Sequence, residues 1–242
     1  MNGCFAMCTF SVDTAVILAG GPGLRLRPLT DDRPKAMIEV AGRPMLEWAL
    51  LGLRKNGIRQ VIIGIAYKGE RIMEHFRDGR NLGLNIQYST HTVEGGTGEG
   101  FRLAIERYVR NKTFFGMNGD ELTDVRFQDL LRFHCEHGGT ATIAVSPLRS
   151  PFGVVDIRGS DVLAFREKPI IDSVRVSIGV YVFERDILDY LPKRGEIEKT
   201  AFPRLAQDGK LKAFEHDGFW MTVNTMKDLT EVEREIRKRG FG

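Results

Sequence analysis

The sequence predicts an α/β fold: a mostly parallel sheet covered by helices on both faces. Three observations carry that reading. Strand-like runs rich in Ile, Val, Phe and Thr alternate with helical patterns through the first half of the chain. The first run opens straight into a glycine-rich loop, the arrangement expected at the carboxyl edge of a parallel sheet. The 242 residues, 42% hydrophobic and 28% charged, suffice for one sizeable domain with a proper core.

Taken in order, Ala15–Leu18, Val61–Ala66, Leu84–Ser89, Thr113–Met117 and Thr140–Val145 read as strands. Between them, Pro44–Asn56, Lys68–Arg77, Gly98–Arg110 and Phe127–His137 read as helices. Pro44 stands where a helix can begin, and Asn56-Gly57 ends it well. The second half changes character. Short strands are predicted at Gly153–Ile157, Val162–Arg166, Arg175–Phe183, Lys210–Glu215 and Phe219–Val223. Helices are predicted near Glu184–Leu191, within Glu196–Gln207 and over Asn224–Arg239, where Leu229, Val232 and Ile236 recur at helical spacing. This half reads as a small mixed α/β substrate lobe packed on the sheet. No Pro-, Ser- or charge-rich linker divides the halves, so 15–242 is expected to be a single domain with parts at about 15–150 and 151–242.

The most informative stretch is Ala19-Gly20-Gly21-Pro22-Gly23-Leu24-Arg25-Leu26-Arg27-Pro28, with Lys35 following. Glycines let main-chain N–H groups approach a ligand closely. Successive N–H groups in such a turn form an anion-binding concavity, and Arg25, Arg27 and Lys35 add full positive charge. A dinucleotide fingerprint needs a third glycine where Leu26 stands, and Pro28 and Pro34 oppose an immediate helix. The G-K-[ST] ending of the common NTPase phosphate loop is also absent. The glycines alone fit a plain strand-to-loop turn equally well; the cations tip the balance toward polyphosphate.

Other residues are weak signals singly. Asp120 follows a strand, and its hard carboxylate suits Mg²⁺, which takes few protein ligands and fills the rest with water and phosphates; the plain alternative is a turn aspartate in Asn118-Gly119-Asp120. Glu121 and Asp124 read equally well as solvated charges. Glu167-Lys168-Pro169 closes a strand beside Arg166, where a lysine can serve as a point charge on a sugar phosphate; an exposed strand end is the default. Gly95-Gly96-Thr97-Gly98 precedes a helix, and an anion site or a simple N-cap fits it equally. Trp220 reads as a core or lid residue.

Composition excludes several classes. A formal charge of +3 marks no nucleic-acid or membrane surface, and no apolar run approaches the ~20 residues that span a bilayer. Met1 to Thr14 makes a poor secretory signal and reads as a loose tail, with Met7 an alternative start. Cys4, Cys8 and Cys135 make no disulfide framework and suit a reducing cytoplasm. His134, Cys135 and His137 resemble a metal cluster only superficially, because neighbours on a helix diverge; a partly solvated helix end is expected.

Taken together, V-I-L-A-G-G, P-K-A-M, G-R-P-M-L, N-G-D and F-R-E-K-P in this order resemble the sugar-1-phosphate nucleotidylyltransferases, from about Ala15 to the end. The second half is most similar to glucose-1-phosphate cytidylyltransferases. The first looks equally like mannose-1-phosphate guanylyltransferases, and an insert expected of cytidylyl enzymes between Ser89 and Gly98 is missing. The resemblance implies a Rossmann-like fold, an NTP and a sugar 1-phosphate as substrates, and Mg²⁺ as cofactor. It is compatible with a homo-oligomer. It further implies that Leu18, Ala19, Gly20, Gly21, Gly23, Arg25, Thr97 and Gly98 surround the nucleotide. Asn118, Gly153, Glu167, Lys168 and Ser177 would surround the sugar phosphate. Arg25, Lys35, Asp120 and Lys168 would be catalytic, with Asp120 on the metal. Three positions depart from the pattern. Leu24 replaces a usual Thr, and Ser177 a common sugar-binding Asn. Neither Thr222 nor Asn224 supplies the second metal-binding Asp, leaving Asn224 as a weak ligand at most. That loss motivates the alternative of a catalytically weak homologue acting as a regulatory or partner subunit.

Overall fold

A computed structural model describes residues 12–239; Cys4, Cys8 and most of the expected tail lie outside them. The chain runs through β1 (Thr14–Leu18), a small hairpin β2 (Glu39–Val40) and β3 (Arg43–Pro44), then α1 (Met45–Lys55), β4 (Gln60–Ile65) and α2 (Gly69–Phe76). Next come β5 (Asn85–Thr90), α3 (Gly96–Tyr108), β6 (Thr113–Asn118), β7 (Glu121–Thr123), α4 (Phe127–His137) and β8 (Ala141–Arg149). The second half follows with β9 (Val154–Arg158), β10 (Asp161–Arg166), β11 (Ile170–Glu184), α5 (Ala201–Gln207), β12 (Leu211–Glu215), β13 (Trp220–Thr222) and α6 (Met226–Arg239).

Seven strands form one sheet in the order β12-β8-β11-β6-β1-β4-β5. All neighbours are parallel except β11, which runs antiparallel to both β6 and β8. The mostly parallel α/β expectation is met. β1 shows why it reads as a continuous apolar run. Its Ala15 and Ile17 enter the core beneath α1, α2 and α4, whereas Val16 and Leu18 enter the core beneath α3 and α5. Two strands of the second half, β11 and β12, lie within this sheet, so it joins both halves of the chain.

The second half departs from expectation in detail. The helix foreseen at Glu184–Leu191 is a 3₁₀ turn, Arg185–Asp189. The stretch within Glu196–Gln207 splits into a 3₁₀ turn, Ile197–Lys199, and α5. β11 is 15 residues long, starting five residues before the predicted Arg175. Its pairing with β8 shifts register twice, between Ile171 and Arg175 and between Ser177 and Tyr181. Such shifts bend a strand and break the alternation by which its length could be read. β9 and β10 form a separate ribbon in which Val155 pairs with Phe165 and Ile157 with Val162, all four exposed. Among the described residues no helix is long and apolar enough to cross a membrane.

Candidate active site

The carboxyl ends of β1 and β6 open into a cleft of about 250 Å³ lined by Leu18, Ala19, Gly20, Gly21, Lys35, His91, Thr97, Asn118 and Asp120, among others. Most residues expected around the nucleotide therefore share one wall. Gly20 is there because nothing larger fits: a Cβ would lie 2.8 Å from both the Ala66 Cβ and the His91 Nε2. Gly23 turns the loop with φ +61, and a Cβ there would meet the Lys35 Cβ at 2.8 Å. The loop then folds back on itself. Thr30 Oγ1 donates to the Gly23 carbonyl at 3.1 Å, and Lys35 N–H donates to the Gly21 carbonyl at 3.2 Å. This closure brings Lys35 to the cleft.

Lys35 Nζ then meets two acceptors, Asp120 Oδ2 at 2.6 Å and Asn224 Oδ1 at 3.0 Å. Arg25 Nη2 donates to the same Asn224 oxygen at 3.2 Å. The predicted Arg25, Lys35, Asp120 and Asn224 are thus one network of two cations, one carboxylate and one amide. A small ladder that sequence patterning only half reveals makes the meeting possible. β7 pairs antiparallel with β13, setting Thr222 opposite Glu121 and bringing Asn224 round to Asp120. Of the two positions left open for the missing carboxylate, Asn224 faces the cluster; Thr222 Oγ1 reaches only the Asp120 main-chain carbonyl, at 3.5 Å.

Beneath this network lies a layer that the sequence reading did not foresee. Glu121 is buried, not a solvated charge, and accepts from Trp220 Nε1 at 2.8 Å. Burial first, then the nearby Asp120 charge, pushes its carboxyl up to about 8. Asp124 is likewise engaged, accepting from the Phe219 N–H at 2.7 Å. Tyr181 is buried, and burial first holds its hydroxyl well above the ordinary tyrosine range, with Ser177 and Asn118 opposing the shift. His91 lines the cleft, and burial holds its imidazole below the usual histidine range. The signal for His91 was available: it follows the carboxyl end of a parallel strand, β5.

Other expected residues are engaged by neighbours or exposed. Gly98 N–H donates to the Gly195 carbonyl at 2.8 Å, and a Cβ there would meet Pro192, so it packs α3 against the second half and does not offer its N–H to the cleft. Thr97 lines the cleft, but its hydroxyl donates to Glu198 at 2.9 Å and accepts from the Ile197 N–H. Gly153 lies under the Phe165 ring, where a Cβ would come within 2.4 Å. Glu167 and Lys168 are exposed at the end of β10, with Lys168 in a left-handed conformation at φ +46. Ser177 is exposed on β11. In α4, Cys135 and His137 are exposed as expected, but His134 is buried, bonded to Thr142 at 2.8 Å and Glu184 at 3.2 Å. Among the described residues no three His, Cys, Asp or Glu side chains gather to hold a metal.

Comparison with known proteins agrees with this geometry. The family described as "Nucleotidyl transferase" matches residues 14–239. The mannose-1-phosphate guanylyltransferase catalytic subunit beta of Dictyostelium discoideum is 38% identical over 222 residues, covering 89% of this chain and 62% of that protein. The zebrafish (Danio rerio) protein of the same name is 37% identical over 223 residues, with the same coverage. The chain thus spans about 62% of the length of these relatives. Among solved structures, HddC from Yersinia pseudotuberculosis shares the fold with a TM-score of 0.73 and 23% identity, covering 93% of this chain and 100% of that one.

Proposed function

Since the chain belongs to the nucleotidyl transferase family, we propose that it transfers a guanylyl group from GTP to mannose 1-phosphate, releasing pyrophosphate. The observation that carries the reading is the Arg25–Lys35–Asp120–Asn224 network at the mouth of a glycine-walled cleft. The base and sugar are taken from the guanylyltransferases to which the chain is 38% and 37% identical. A non-catalytic binding subunit is not favoured, because the cations and the carboxylate meet as the chemistry requires.

The reaction is a single in-line displacement: a phosphate oxygen of the sugar 1-phosphate attacks the α-phosphorus, and the bond to pyrophosphate breaks. Such chemistry asks the protein for position and charge neutralisation. Main-chain N–H groups of Gly20 and Gly21 hold the triphosphate, Arg25 faces the leaving pyrophosphate, and Lys35 neutralises charge at the α-phosphate. The first half of the chain, about 15–150, binds the NTP. The second, about 151–242, brings Glu167 and Lys168 to the sugar phosphate.

The family uses a divalent ion, and the donors here fit Mg²⁺. Asp120 and Asn224 present hard oxygens on either side of Lys35 Nζ. When bound, the ion would neutralise phosphate charge and orient the triphosphate. With one carboxylate in place of two, the protein's own share in holding it is smaller.

Incubation with each NTP, sugar 1-phosphates and Mg²⁺, read by pyrophosphate release, tests the proposal. GTP with mannose 1-phosphate is expected to give the highest rate. A higher rate with another pair would overturn the assignment of base or sugar, and silence across the matrix would overturn the transferase reading.

A further inference from the structure

We propose that Asp228 is a positioning residue for the nucleotide: it fixes Asn224, and through Asn224 the two cations that face the triphosphate; this rests on the transferase reading above. Asn224 Oδ1 accepts from Lys35 Nζ at 3.0 Å and from Arg25 Nη2 at 3.2 Å. Asn224 lies in the turn between β13 and α6, where an unanchored main chain has many conformations. Asp228 supplies the anchor. Its Oδ2 accepts from the main-chain N–H of Asn224 and from that of Thr225, both at 2.9 Å.

Ordinary helix capping accounts for only part of this. α6 begins at Met226, so Thr225 stands at its N-cap and Asp228 at the third helical position. In a capping box the N-cap hydroxyl accepts from that third N–H, and the side chain there reaches back to the N-cap N–H. Both bonds are present: Thr225 Oγ1 accepts from the Asp228 N–H at 3.2 Å, and Asp228 takes the Thr225 N–H. The bond to the Asn224 N–H goes one residue further, beyond what the box itself uses. It reaches the residue that meets Lys35 and Arg25.

The rest of α6 gives Asp228 a firm base. Its Val232 and Ile236 are buried in one apolar cluster with Leu26 and Val223, the immediate neighbours of Arg25 and Asn224. Glu233 Oε1 accepts from the Ala41 N–H at 3.3 Å, tying the helix to the β2–β3 hairpin as well. The helix therefore packs against both the glycine loop and the Asn224 turn, and Asp228 is where it grips the turn. Without that grip the Asn224 oxygen is free to leave the cations. Lys35 would retain Asp120 alone, and Arg25 would lose the acceptor it shares with Lys35.

The test compares Asp228→Ala, Asp228→Asn and Thr225→Ala in the full chain, by calorimetry of GTP without divalent ion and by pyrophosphate release. Asp228→Ala is expected to weaken GTP about tenfold and to lower kcat ~10–100-fold. Asp228→Asn keeps an oxygen acceptor in the same place and should restore most of both. Thr225→Ala breaks the capping box but leaves Asp228 on Asn224. It should lower the thermal midpoint as Asp228→Ala does, yet bind GTP and turn over near the wild-type values. Equal kinetic losses in Thr225→Ala, no recovery in Asp228→Asn, or wild-type binding and turnover in Asp228→Ala would overturn the role. Wild-type hydrogen exchange gives an independent check: the Asn224 amide should be protected, and exchange at the rate of an open loop would also overturn it. A wild type whose GTP binding depends on Asp228, yet which releases no pyrophosphate with any sugar 1-phosphate, would sustain the positioning role and sink the transferase reading alone.

Discussion

Lys35 Nζ lies 2.6 Å from Asp120 Oδ2, joining residues 85 positions apart in the chain. The lysine side chain is 12% exposed and the carboxylate 28%, so the pair is sheltered from solvent screening and open to a ligand on one side. A contact so placed holds the cation ready and denies it other conformations.

Removing that cation is expected to slow turnover. Lys35→Ala should lower kcat by about 10²–10³, the loss usual for one group that stabilises developing charge. Lys35→Arg should recover part of it. Steady-state pyrophosphate release with GTP and mannose 1-phosphate measures both, and a Lys35→Ala rate within about threefold of wild type would refute the assigned role.

Metal dependence should follow the oxygen donors. Asp120→Asn is expected to raise the Mg²⁺ concentration needed for half-maximal rate, and Asn224→Asp to lower it, because a second carboxylate adds charge beside the ion. Titrating Mg²⁺ at saturating substrates gives both values. An Asn224→Asp variant needing more Mg²⁺ would show that this oxygen does not face the ion.

Gly20→Ala tests the packing of the loop. The new Cβ would stand 2.8 Å from Ala66 and His91, closer than a methyl can approach without displacing them. A loss of about 1–3 kcal/mol in urea unfolding is expected, the usual range for overpacking. Unchanged stability would mean that the loop has room to shift.

Acid should destabilise the protein through its buried imidazoles. Burial lowers His91 and His134 below the ordinary value of 6.5, so the unfolded chain binds more protons once pH falls to that point. Their neutral-state contribution is full above about 6.5 and declines as pH falls from there toward the depressed folded values. Thermal midpoints taken from pH 7.5 to pH 5 should fall for wild type and fall less for His91→Asn. Parallel curves would exclude His91 as a contributor.

The glycine loop, the cations and Asp120 were legible because strand, loop and chemistry are contiguous there: β1 runs into Gly20–Gly23 within a few residues. Glu121 was not legible, since one glutamate in a turn-rich segment carries no mark of burial; Trp220, arriving from 99 positions away, supplies its hydrogen bond. Gly98 misled in the other direction. Its place before an apolar helical run suits an anion, but Gly195 takes its N–H.

By itself the chain's order of residues determined the layered α/β architecture and the polyphosphate-suited loop, because periodicity and glycine placement act over a few neighbouring residues. Only the tertiary structure decided between Thr222 and Asn224, buried Glu121, and gathered Arg25, Lys35, Asp120 and Asn224. Those outcomes follow from the register of β7 against β13: a one-residue slip would turn each side chain to the opposite face.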